Sequence, residues 1–307
     1  MVISHAGNIR IIVTLRSPFK AYSIALSIGA LIVAMASFQA GSVVAKGLFP
    51  LVGAAGATAL RLALASLMLA AVWRPWRMRP TVPELRSIAI YGFAMGWMNL
   101  FFYLSLNRIP LGIAVALEFT GPLALAMAAS HRALDFLWIA LAALGILALL
   151  PLGFESKPLA PAGILFALAA GVCWALYIWF GQKAGAVHGG ATVALGTLVA
   201  AVVIVPIGIA HAHAALFTPA ILPAACAIAV LSSALPYSLE MFAFPRLPTR
   251  TIGVLMSLSP ALGALSGLWF LRESLTAIQW AAIASIMLAS GGSAATSRPA
   301  RIAPLPE

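Results

Sequence analysis

A single carboxylate stands in the apolar run VALEFTGPLALAM, residues 115–127. An acid at the middle of a membrane helix costs roughly 2.5–3.5 kcal/mol on insertion scales, so Glu118 needs a reason to be there. Two readings stand. It forms a fixed hydrogen bond or ion pair that holds helices together, or it faces a cavity and binds a substrate amine or a proton. Arg61 is the second costly residue, inside the run 54–73. It can snorkel to the outer interface, pair with Glu118, or receive a substrate carboxylate through its planar fork. Asn99 in GWMNLFFY and Tyr237 in ALPYSLEMFA offer hydrogen bonds to a small polar solute. Glu240 lies in the same stretch, where an ion pair with Arg246 or Arg250 is the structural alternative. Gln39, Trp174 and Tyr177 complete the candidates, as cavity wall or as packing. The chemistry on offer is reception of a small solute with charged ends, with a proton as a second ligand.

The elements that carry these residues are membrane helices. The chain has 307 residues, 63% hydrophobic and 8% charged, where a soluble protein carries about 25% charge. Ala21–Ala45 runs 25 residues without a charge and Thr251–Leu271 runs 21. Runs of about 18 or more are read as bilayer-spanning helices. Ten spans are expected, near 21–45, 54–73, 86–106, 110–130, 134–151, 160–180, 190–210, 220–242, 249–271 and 276–292. The fold class is therefore an all-α polytopic membrane protein, since hydrocarbon leaves open sheet edges unsatisfied. With the N-terminus in the cytoplasm, 13 of the 18 Lys and Arg fall in inside connectors and 4 in outside ones, with Arg61 within a span. That bias places both termini inside, with residues 1–20 and 293–307 as cytoplasmic segments.

The chain also echoes itself. LNRIPLGIAVALEFTGP at 106–122 matches FPRLPTRTIGVLMSLSP at 244–260, aligning Arg108 with Arg246, Pro110 with Pro248 and Pro122 with Pro260 at an offset of 138. GATALRLALA at 56–65 echoes GATVALGTLV at 190–199 more loosely. Two five-helix repeats, 21–151 and 160–292, follow. Five is odd, so the second is inverted in the membrane. Inverted repeats with a site between them suit alternating access. Pro122, Pro260 and Pro236 are the expected kinks, because proline frees a backbone carbonyl and bends a helix. The repeat partner of Glu118 is Met256, so the acid belongs to one half only.

Other chemistries find little support. His131, His188, His211 and His213 lie at loops or span ends, and HAHAA lacks a third ligand for a metal. There is no GxxxxGK[ST], so no ATP site is built in and uphill transport draws on an ion gradient. No cofactor is expected. The net charge of +11 follows topology rather than a nucleic-acid surface. Cys173 and Cys226 sit in apolar runs and read as space-filling. No polar cluster near one interface suggests an enzyme.

MASFQAGSVVAKGLFPLVGAAGATALRLALA (35–65), YGFAMGWMNLFFYLSLNRIPLGIAVALEFTGPLA (91–124), GVCWALYIWFGQKAGAVHGGATVALG (171–196) and LSSALPYSLEMFAFPRLPTRTIGVLMSLSPALGALSG (231–267) carry a family pattern. The chain resembles the EamA-type ten-helix exporters of the drug/metabolite transporter superfamily, and most closely those that export threonine and homoserine. The resemblance implies ten helices in two inverted repeats in a bacterial inner membrane. It further implies export of small amino acids, with proton antiport as the coupling. EamA-type export of other small metabolites or toxic compounds, such as purines or cations, is the alternative. The implied partners are a small amino acid, a proton and the lipid bilayer. Monomer and homodimer are both compatible with the abundant Gly and Ala.

Overall fold

The computed structural model describes residues 18–128, 133–149 and 159–296. The first 17 residues, the tail from 297, His131, and the far ends of the expected spans 110–130 and 134–151 lie outside the described residues. The described residues form twelve α-helices. These are α1 (Pro18–Trp73), α2 (Val82–Leu106), α3 (Leu111–Glu118), α4 (Thr120–Ala128), α5 (Ala133–Leu149) and α6 (Pro161–His188), then α7 (Gly190–Ala212), α8 (Leu222–Ala229), α9 (Leu235–Ala243), α10 (Thr249–Met256), α11 (Ser259–Phe270) and α12 (Ala277–Thr296).

Seven segments are long and apolar enough to cross a membrane: Ser23–Trp73, Val82–Leu106, Pro161–Gly181, Gly190–Phe217, Pro219–Ala243, Arg250–Phe270 and Ala277–Thr296. Leu111–Leu125 and Phe136–Leu149 are shorter apolar helices. Large apolar side chains such as Leu67, Leu144, Trp269 and Phe270 face outward along these segments. That surface is stable only against lipid, so the protein is an all-α polytopic membrane protein.

Local chemistry sets where the helices start and break. Gly53 divides α1 into two arms, with φ 68° and ψ 172°, a region open essentially to glycine. The helix therefore runs on through 46–52, where the sequence suggested a connector. Helix α2 begins earlier than expected, because Thr81 and Glu84 form a capping box around its first turn and Pro83 needs no donor there.

Two breaks matter for the site. Helix α3 stops at Glu118 and α4 resumes at Thr120, with Phe119 between them. Helix α10 stops at Met256 and α11 resumes at Ser259. Pro122 and Pro260 lack the N–H that would bond the carbonyls of Glu118 and Met256, so each helix opens one turn before its proline. Arg108 and Arg246, also 138 apart, each donate to the carbonyl four residues earlier, Leu104 at 2.9 Å and Phe242 at 2.5 Å.

The second arm of α1 packs on α7, α3 on α11, and α5 on α12. Helix α4 meets α6 at the tightest of the glycine crossings. A Cβ added to Gly121 would lie 1.8 Å from the carbonyl oxygen of Gly171, and one added to Gly171 would lie 2.7 Å from that of Glu118. Backbones this close are the usual device where no hydrophobic force separates helix from lipid. Gly171→Leu is expected to lower stability by at least about 1–3 kcal/mol, read as a lower melting temperature in detergent. Gly47→Ala, where nothing lies within 4 Å of the added carbon, leaves it unchanged. Equal melting temperatures for the two variants would contradict this packing.

Candidate functional site

The site begins with a defect in the eighth expected span. Pro236 cannot donate to the carbonyl of Ser232, so the helix widens into one π turn, Val230–Ala234, closed by the Leu235 N–H on Val230. The carbonyls this displaces are taken by side chains from α1. Ser37 Oγ donates to the Leu231 carbonyl at 2.7 Å, and Arg61 Nη2 donates to the Ser232 carbonyl at 2.6 Å. Arg61 Nε donates to Ser233 Oγ at 3.0 Å. Gly41 lets the first arm of α1 approach this turn, since a Cβ there would lie 2.0 Å from Ser232 Oγ.

Arg61 is wholly enclosed, at 0% exposure, so it does not snorkel. Its guanidinium carbon sits 5.0 Å from the Phe38 ring and 5.4 Å from the Tyr103 ring, and the ring faces replace part of its hydration. Among the described residues, Nη1 has no hydrogen-bond partner, and neither does the Tyr103 hydroxyl.

Glu118 is the last residue of α3, at the helix break, with 6% of its surface exposed. No hydrogen bond or ion pair among the described residues engages its carboxylate. Arg61 lies within electrostatic reach of Glu118, yet the two make no ion-pair contact. Next to it, Phe119 meets Trp174 of α6 edge to face at 5.2 Å. Gln39 of α1 serves the other break: its Nε2 donates to the Ser259 carbonyl at 3.4 Å. Its Oε1 is buried without a partner among the described residues, beside Gly263.

A second polar group lies beyond. Asn99 Nδ2 donates to the Met95 carbonyl at 2.8 Å, and the Tyr237 hydroxyl adjoins the Asn99 amide. Tyr237 lies within electrostatic reach of Arg61, Glu118 and Glu240. Tyr177 stacks on Tyr91 at 4.7 Å, with Glu240 and Tyr237 nearby. Glu240 forms no ion pair with Arg246 or Arg250. Arg246 instead bonds the Phe242 carbonyl and lies 4.2 Å over its ring.

The candidates from the sequence thus fall into two adjoining groups. Gln39, Glu118 and Trp174 stand at the helix breaks and Arg61 at the π turn, while Asn99, Tyr177, Tyr237 and Glu240 form the second group. Ser232, Ser233, Phe38, Tyr103 and Tyr91 are the functional neighbours the sequence does not single out. The pair Ser-Ser placed four and three residues before Pro236 is the pattern that points to them. The arrangement leaves a buried cationic donor and a buried carboxylate near each other, each with unused bonding capacity. A small molecule carrying one charge of each sign matches it.

The sequence profile of the EamA-like transporter family matches residues 161–293. The threonine/homoserine exporter RhtA of Salmonella typhimurium (strain SL1344) is 55% identical over 273 residues, covering 89% of this chain and 92% of the relative. RhtA of Escherichia coli (strain K12) is 55% identical over the same extent. A solved crystal structure covers 92% of this chain and 100% of its own at 18% identity, with a TM-score of 0.60, and shares the fold. Identity at this level, across nearly the whole length of the relatives, shows that the chain belongs to the EamA-type transporters of the drug/metabolite transporter superfamily.

Proposed function

We propose that this protein is a secondary exporter of threonine, homoserine and similar small amino acids, working by proton antiport and alternating access in a bacterial inner membrane. The observation that carries the reading is the pair of buried ionisable groups left unjoined among the described residues, Arg61 with a free Nη1 and Glu118 with no hydrogen bond or ion pair at its carboxylate. The names of the relatives supply the substrates. Arg61 Nη1 donates to the substrate carboxylate and Glu118 accepts the ammonium. Gln39 Oε1 and the Tyr103 hydroxyl are the unpartnered groups suited to a side-chain hydroxyl. Asn99, Tyr177, Tyr237 and Glu240 line the approach from the cytoplasmic side. Ammonium and proton exclude one another at one carboxylate, so exchange follows without a further coupling residue.

Ten spans in two inverted repeats, 21–151 and 160–292, with both termini cytoplasmic, provide the machinery. Counting the two arms of α1 separately, and joining α3 to α4, α8 to α9 and α10 to α11, supports that number. The helix breaks and the arginine–carbonyl bonds at an offset of 138 support the repeat. Breaks at equivalent places in opposed halves let one half rock against the other about a fixed site.

Proteoliposomes test the reading. An acidic exterior drives threonine out of vesicles holding the protein, and Glu118→Gln abolishes that driven flux while the protein still inserts; normal driven flux in the variant would sink the proton role. Arg61→Lys keeps the charge and loses the planar fork, so KM for threonine rises roughly tenfold, the equivalent of about 1.4 kcal/mol. An unchanged KM would remove Arg61 from the substrate. A counterflow panel including purines and organic cations, neither of which should exchange, separates the substrate classes.

A further inference from the structure

The link between α11 and α12 holds a second charged feature, at the opposite end of α3 from Glu118. Glu273 Oε1 pairs with Lys46 Nζ, and its Oε2 accepts the backbone N–H of Leu111, the first residue of α3, at 2.8 Å. Lys46 also reaches the Ile109 carbonyl at 3.5 Å. Three distant segments thus meet on one carboxylate. They are the first arm of α1, the turn into α3, and the link after α11. The partner of Lys46 lies 227 residues away in the chain.

The link is shaped for this contact. Arg272 holds φ 55°, a left-handed conformation uncommon for a residue with a side chain. The Glu273 N–H donates to the Gly267 carbonyl at 3.0 Å. A Cβ at Gly267 would lie 2.6 Å from Glu273 Oε2, so the glycine makes the notch the carboxylate occupies. A negative group at the start of α3 is further favoured by the helix dipole. Among the described residues this is the ion pair that forms, and it joins the two proposed repeats at the end the charge bias places outside. Its side chains are 25% and 14% exposed, so water already reaches the edge of the pair and can take over its charges when it opens.

We propose that Lys46, Glu273 and the Leu111 N–H form a releasable outer clamp, made when the site is closed to the outside and broken when it opens there. Helix α3 connects the clamp to the site: it runs unbroken from Leu111, which the clamp caps, to Glu118. Freeing its first turn therefore frees the element that carries the acid. The inference rests on the transport reading and orientation above.

The test measures KM for threonine from each face of oriented proteoliposomes. Loss of the clamp favours the outward-open state, so Glu273→Gln and Lys46→Met lower the outer KM and raise the cytoplasmic one. The ratio shifts about fivefold or more. Gly267→Ala, which displaces the carboxylate and keeps both charges, shifts it the same way, and Lys46→Arg does not. A wild-type ratio in the first three variants overturns the clamp. Should wild-type vesicles move no threonine, the transport reading falls separately. The clamp is then read by labelling Ser105→Cys from outside in a Cys173→Ser, Cys226→Ser background. Ser105 is 0% exposed, and its carbonyl accepts the Ile109 N–H. Faster labelling with Glu273→Gln supports the clamp; equal labelling overturns it.

Discussion

A fully enclosed arginine organises the centre of this molecule. Removing a guanidinium from water is costly, and it is tolerated only where bonds and ring faces replace the lost hydration. The bonds come from a place where the backbone itself is incomplete. Pro236 strips Ser232 of its helical partner, the helix widens, and Arg61 fills the vacancy with Ser233 as a second acceptor. Each group solves the problem of the other. The consequence is geometric: both arms of α1 are fixed against the π turn, with Ser37 and Gly41 completing the contact. Because the fork is only partly used, the same residue that fastens the helices keeps one donor, Nη1, that no described group takes up.

The paired helix breaks extend this logic. A continuous helix presents no free carbonyl and no abrupt change of direction. Interrupting α3–α4 and α10–α11 one turn before Pro122 and Pro260 gives the bundle two places where both are available. Glu118 stands at one of them, Gln39 bonds the Ser259 carbonyl at the other, and the Gly121–Gly171 crossing holds the first against α6. Glu118 belongs to one break only: Met256 stands at the equivalent place in the other, so the two breaks share the proline and not the carboxylate.

Much of this was legible in the chain. Long uncharged runs announce membrane helices because hydrocarbon permits little else, and a lone acid or arginine within such a run announces itself by its cost. Asn99 and Tyr237, polar letters in apolar runs, stand out in the same way. The partners of these residues were not legible. Arg61 bonds residues more than 170 positions away, and a polar contact across that separation leaves no local pattern. The Lys46–Glu273 pair is hidden for the same reason, since 227 residues separate its partners. Glu240 was expected beside Arg246 on proximity in sequence, yet a neighbouring carbonyl and ring hold that arginine more closely. The capping box at Thr81 and Glu84 was written in TVPE, but its polar letters read as part of a connector.

The central claim is that Arg61 and Glu118 receive the two ends of one zwitterion. Counterflow exchange of [14C]threonine against unlabelled competitors tests it directly, using threonine, its alcohol analogue lacking the carboxylate, and its 2-hydroxy analogue lacking the ammonium. The account predicts that threonine exchanges and that each analogue, missing the group one of the two residues binds, does not. Exchange of either analogue at the rate of threonine would contradict it.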